Sequence, residues 1–136
     1  MTDPLFLDTS ALYAVLDRDD ENHQVASACW RKIMAGDTLV VVSNYVILEA
    51  LALVQRRLGT PAIHTLCNAV LPALKLELLD AELHARAMAA FLTSGRRRLS
   101  FVDCSSFELM RSLGLTRVFA FDPHFAEQGF AVLAKG

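Results

Sequence analysis

Short apolar runs alternate along this chain with longer stretches in which apolar residues recur every three or four positions. Leu5–Leu7 reads as a strand, and a helix follows over roughly 10–16. The polar run 17–22 is a loop or a helix start. From there to Met34, Val25, Ala28, Cys29 and Lys32-Ile33 form a helical stripe that Gly36 ends. Residues 38–42 read as a buried strand. Ser43 or Asn44 then caps a strongly apolar helix reaching Leu58, with Gly59 as its stop signal. A further helix follows Thr60-Pro61, where proline is tolerated in the first turn. Residues 74–79 suggest a strand, and Asp80 caps a helix to about Thr93. After the loop Gly95-Arg96-Arg97-Arg98 comes a helix over about 103–113, then a strand at 118–121, a turn at Asp122-Pro123 and a last strand at 130–133. Strands alternating with helices predict an α/β sandwich around a largely parallel sheet. With no repeat or linker in sight, a single domain is expected over residues 1–136.

Composition narrows this picture. Apolar residues make up 54% of the chain and charged residues 21%, which excludes a disordered protein. The uncharged stretch 58–74 contains Gly59, Pro61, His64, Asn68 and Pro72, and makes a poor bilayer span. The start, Met1-Thr2-Asp3-Pro4, lacks the basic and apolar regions of a signal peptide, so a cytoplasmic protein is expected. Cys29, Cys67 and Cys104 are scattered and suggest neither a disulfide framework nor a zinc site. The net charge of −2 argues against a protein that binds nucleic acid by coating phosphates. Contact with nucleic acid has to come from local basic patches, metal ions or a partner chain.

Four carboxylates stand out. Asp8 sits between an apolar strand and a helix, where ligand sites form in open parallel sheets, although a helix N-cap is an equally available reading. Glu49 is the only charge between Tyr45 and Gln55, in a helix apolar nearly all round and therefore expected to be buried. A buried salt bridge or a bound metal ion would each compensate it. Asp103 is placed at a helix start, where the cap reading competes again, and Asp122 ends an apolar run before Pro123, where turn chemistry also suffices. A parallel sheet can gather such positions at one edge. Crowded carboxylates repel one another until divalent cations neutralise them, and oxygen ligands suit Mg²⁺ or Mn²⁺. The chemistry that follows is hydrolysis of a phosphodiester.

At Leu7-Asp8-Thr9-Ser10-Ala11-Leu12, Glu49, Leu99-Ser100-Phe101-Val102-Asp103-Cys104 and Phe121-Asp122-Pro123-His124-Phe125, the chain resembles the PIN-domain family, and in particular the VapC toxin ribonucleases of toxin–antitoxin pairs. The resemblance spans nearly the whole chain. It implies a three-layer α/β/α sandwich and a ribonuclease whose four acids hold one or two Mg²⁺ or Mn²⁺ ions. It also implies an RNA substrate and a small antitoxin partner. Ser10 matches a polar position that supports the metal site, with Thr9 and Asn44 as further candidates around the acids. The chain departs from the pattern at Ala120, where many members carry Thr or Ser, which puts the hydrogen bonding of Asp122 in question.

The remaining candidates carry less. Arg96, Arg97 and Arg98 are placed to guide phosphates toward the acids, or form a solvated basic turn. Arg56 and Arg57 suit the dipole at a helix C-terminus. His23, His64, His84 and His124 show no metal-ligand spacing; His124 follows Asp122 closely enough to lie near it, but no catalytic role is assigned to it. Trp30 and the phenylalanines read as core. The apolar surplus of 45–54 and 63–74 suggests a homodimer interface or an antitoxin groove. An aspartyl phosphotransferase is disfavoured because Ser10 stands where a second acid is needed, and a nucleotide fold lacks its P-loop or GxGxxG. The non-enzyme alternative is a PIN-like binding or scaffold module with weak catalysis.

Overall fold

The computed structural model describes residues 3–95 and 98–133. The strands are β1 (Leu5–Leu7), β2 (Val40–Ser43), β3 (Lys75–Glu77), β4 (Arg117–Phe119) and β5 (Ala131–Val132). They form one sheet in the order β3-β2-β1-β4-β5, with every pairing parallel. β1 and β2 are buried along their whole length, as unbroken apolar runs demand when both sheet faces are covered.

Alternation along the strands separates two cores. Leu5, Leu7, Val40 and Phe119 pack on one face against α1 (Thr9–Leu16), α2 (His23–Ala35) and α4 (Thr60–Thr65). Phe6, Val41 and Val118 pack on the other against α5 (Ala81–Thr93), α6 (Phe101–Leu113) and α7 (His124–Glu127). The helix α3 (Asn44–Arg57) contributes Val46 to the second core and Ala50 and Val54 to the first. The chain is thus a three-layer α/β/α sandwich. No helix among the described residues is long and apolar enough to cross a membrane.

Several expectations change in detail. The helix after Thr60 ends at Thr65 and continues as a π turn at Leu66–Val70 and a 3₁₀ turn at Leu71–Ala73, because Pro72 cannot donate a backbone hydrogen bond. The turn after Asp122 carries the four-residue α7, too short for periodicity to reveal. Gly59 ends α3 at φ 85°, a left-handed conformation open to glycine.

The largest correction concerns α3. The helix buries only Val46, Ala50 and Val54, four residues apart on a single stripe, so it is not buried all round. Leu48 is 71% exposed, and Glu49 is half-buried. Tyr45, Leu48, Ala52, His84, Phe101 and Val102 line an open apolar groove of about 400 Å³. Phe91 is also exposed rather than core, and packs edge-on against Phe101.

Candidate metal centre

The sheet order reverses direction at β1. From β1 the chain passes to β2 and β3 on one side, and returns to β4 and β5 on the other. Crevices at the carboxyl ends of strands flanking such a reversal are where open α/β sheets bind ligands. Asp8 directly follows β1, and its backbone N–H donates to Phe119 O at the end of β4 (3.1 Å). Asp122 lies three residues beyond Phe119. One open cleft of about 550 Å³ is lined there by Asp8, Thr9, Ser10, Glu49, Arg56, Ser100, Asp103 and Asp122, with Ala52 and Leu53 on the α3 wall. All four acids singled out in the sequence therefore meet in one place.

Local hydrogen bonds position each acid. Asp8 is the N-cap of α1, and its Oδ2 accepts from the Ser10 backbone N–H (3.1 Å) and hydroxyl (2.6 Å). The same hydroxyl accepts from Phe121 N–H (2.9 Å), so Ser10 ties Asp8 to the segment leading to Asp122. Asp103 is not the cap of α6. Ser100 is, and Asp103 completes a capping box, with each residue's side chain accepting the other's backbone N–H at 3.0–3.1 Å. Asp122 Oδ1 accepts from the His124 backbone N–H (2.9 Å). That bond meets the need left open by Ala120, which is wholly buried in the apolar core.

Electrostatics at the centre are unfavourable without a cation. Asp8 is 3% exposed, and burial is the main force lifting its pKa to about 7, with Asp103 and Asp122 adding repulsion against the opposing Ser10 hydrogen bonds. Burial also pushes Asp103 up, the Ser100 N–H pulls it down, and Asp122 raises it further. Thr9 is 5% exposed, lines the same cleft, and its Oγ1 has no hydrogen-bond partner. A set of carboxylate oxygens in which burial raises the pKa of Asp8 and Asp103, with an unpaired hydroxyl beside it, fits a divalent ion and its water.

Among the described residues, one group of three brings possible ligand atoms within 4.8 Å of one another: Asp103, Asp122 and His124. Asp8 and Glu49 line the same cleft but stand outside that close group. The cleft region includes two residues to which the sequence reading assigned no role there. Arg56, read as a helix-end cation, lines the cleft, whereas Arg57 stacks over Tyr13 at 5.5 Å. His124 joins the acids although its two-residue offset from Asp122 matches no ligand motif; the signal available was adjacency to a strand-end acid. Asn44 points elsewhere, its Oδ1 accepting from Leu79 N–H (3.0 Å). Arg98 is exposed at φ 54° and outside the cleft lining, while Arg96 and Arg97 lie outside the described residues.

The PIN-domain family profile matches residues 5–131. The chain belongs to the PIN-domain family. It is 31% identical over 127 residues to the 23S rRNA-specific endonuclease VapC20 of Mycobacterium tuberculosis, a match covering 93% of this chain and 95% of that protein. The crystal structure of VapC20, a toxin that cleaves the sarcin–ricin loop, superposes with a TM-score of 0.85 at 30% identity, over 96% of this chain and 98% of the other. FitAcB of Neisseria gonorrhoeae shares the fold at 19% identity and TM-score 0.68, over 95% and 96% of the two chains. So does DNA-bound VapBC of Salmonella typhimurium, at 12% and 0.65, over 97% and 98%. The sheet and its flanking helices are thus those of a PIN domain similar to the VapC20 toxin.

Proposed function

We propose that this PIN domain is a divalent-metal-dependent endoribonuclease, the toxin of a VapBC-type pair. The convergence of Asp8, Glu49, Asp103 and Asp122 on one cleft at the sheet's switch point carries the reading. In it, these acids hold one or two Mg²⁺ or Mn²⁺ ions. Bound there, such ions neutralise phosphate charge and make water a stronger nucleophile at neutral pH. Water adds to phosphorus, the bond to the leaving oxygen breaks, and that oxygen takes a proton. Ser10 orients Asp8, the Ser100 cap orients Asp103, and Arg56 supplies a cation for a phosphate on the α3 side. The RNA-holding role read from the sequence for Arg96, Arg97 and Arg98 stays part of this proposal, and of the three only Arg98 lies within the described residues, exposed beyond the cleft lining. The relation to VapC20 makes ribosomal RNA the first substrate to test.

The apolar groove on α3 and α5 supports protein partners. Its exposed Leu48, with Phe91 nearby, is costly to leave in water. A homodimer through this face and a small antitoxin protein complete the reading.

The deciding experiment incubates purified protein, free of any partner, with total RNA and intact ribosomes, and maps the cut ends by sequencing. Discrete cuts that need Mg²⁺ or Mn²⁺, and vanish with EDTA and with Asp8→Asn, are expected. Folded protein that yields no metal-dependent cut would replace this reading with that of a binding or scaffold module.

A further inference from the structure

His124 opens α7, two residues after Asp122, and its side chain is 23% exposed. Its Nε2 lies 4.0 Å from Asp122 Oδ1, and its Nδ1 lies 3.3 Å from Glu127 Oε1. Nδ1 is buried and makes no hydrogen bond in this arrangement, with the Glu127 carboxylate within reach. A metal-binding histidine commonly has one ring nitrogen held by a carboxylate and the other turned to the ion. In His124, Nδ1 lies on the Glu127 side and Nε2 on the side of Asp122. Asp103, Asp122 and His124 bring possible ligand atoms within 4.8 Å of one another, close enough for small side-chain movements to let one ion be shared. Thr9 Oγ1, buried and unpaired in the same cleft, independently marks a polar occupant that the protein does not supply.

We propose that His124 Nε2 is a metal ligand, making this centre mixed nitrogen–oxygen rather than all-carboxylate. The proposal rests on the metal-dependent reading above. Mg²⁺ is a hard ion that selects oxygen donors, and imidazole shifts selection toward first-row transition ions. The centre therefore prefers a transition ion over Mg²⁺. Mn²⁺, the most Mg²⁺-like of these ions and one visible by electron paramagnetic resonance, is the probe. Glu127 acts through His124 as a positioning residue.

The test uses full-length protein stripped with EDTA and titrated with Mn²⁺ or Mg²⁺ alone, with binding followed by calorimetry. Pulsed electron paramagnetic resonance of bound Mn²⁺ reads out ¹⁴N coupling. Wild type is expected to bind Mn²⁺ about tenfold or more tightly than Mg²⁺ and to show imidazole nitrogen modulation. His124→Ala should weaken Mn²⁺ binding by about tenfold and remove the modulation, while Glu127→Gln weakens Mn²⁺ by a few-fold. Bound Mn²⁺ without ¹⁴N modulation in wild type overturns the assignment, and needs no variant to fold. Equal Mn²⁺ affinity in His124→Ala also overturns it, and leaves the carboxylate site standing. If wild type binds neither ion, both this assignment and the metal-dependent reading fall.

Discussion

Asp8→Asn should stabilise the metal-free protein at neutral and alkaline pH even as it removes the metal site. Asp8 has its pKa raised from 3.8 to about 7, chiefly by burial. A carboxyl whose folded pKa lies above its unfolded value binds more protons when folded. Folding is then unpenalised by Asp8 below the unfolded pKa, and the penalty grows as pH rises toward the folded pKa. A shift of about three units corresponds to roughly 4 kcal/mol once Asp8 is fully ionised, of which about 2.5 kcal/mol accrues between about pH 5 and about pH 8. Asparagine fills nearly the same space, and its carbonyl accepts the Ser10 hydrogen bonds without the charge. Thermal unfolding of wild type and Asp8→Asn in EDTA at several pH values measures the difference. The variant is expected to be more stable by several degrees at about pH 8, with the gap shrinking toward about pH 4. A variant equal to or less stable than wild type at about pH 8 would show that the cleft is better solvated than its burial implies. In wild type, saturating Mn²⁺ should recover the lost stability, since an ion that binds only the folded state stabilises it by mass action.

Ser10→Ala leaves the Phe121 N–H without its acceptor and strips Asp8 of a 2.6 Å donor, so a loss of roughly 1–3 kcal/mol in urea unfolding and a weaker metal affinity by calorimetry are expected. Ser100→Ala removes the α6 cap at a cost of about 1 kcal/mol in the same assay, and frees Asp103 to turn. Unchanged metal affinity in Ser100→Ala would show that the capping box does not hold Asp103 for the ion. Leu48→Glu, on an exposed position, should leave stability within about 0.5 kcal/mol but convert a dimer to a monomer by light scattering; a wild type already monomeric at micromolar concentration removes the dimer from the reading.

Much of the architecture was legible because strands and caps carry local signals. β1 is a three-residue apolar run followed by a capping Asp, and Ser43 and Asp80 cap α3 and α5 where the pattern places them. The cleft was legible as a set of acids at strand and helix ends. What escaped depended on packing rather than on spacing. Glu49 stands in an apolar helix, but which residues of α3 are covered is decided by where α1, α4 and α6 pack on it, and they leave Leu48 in solvent. The nearness of His124 to Asp122 was legible from adjacency, but α7 spans only four residues, and no periodicity states which way the ring turns. Arg56 and Arg57 are adjacent in the chain, and helix geometry alone sends one to the acids and the other to Tyr13.

Glu49 and Ala52 line both the acid cleft and the apolar groove. The helix α3 is therefore a party wall, with the acid cleft on one side and the apolar groove on the other. A substitution at Ala52 that spoils a partner's fit also reshapes the chamber in which phosphate would sit. Escape from a partner and preservation of the cleft are thus opposed at that position, and variation that separates them has to fall on Tyr45, Leu48 or His84, which border the groove alone.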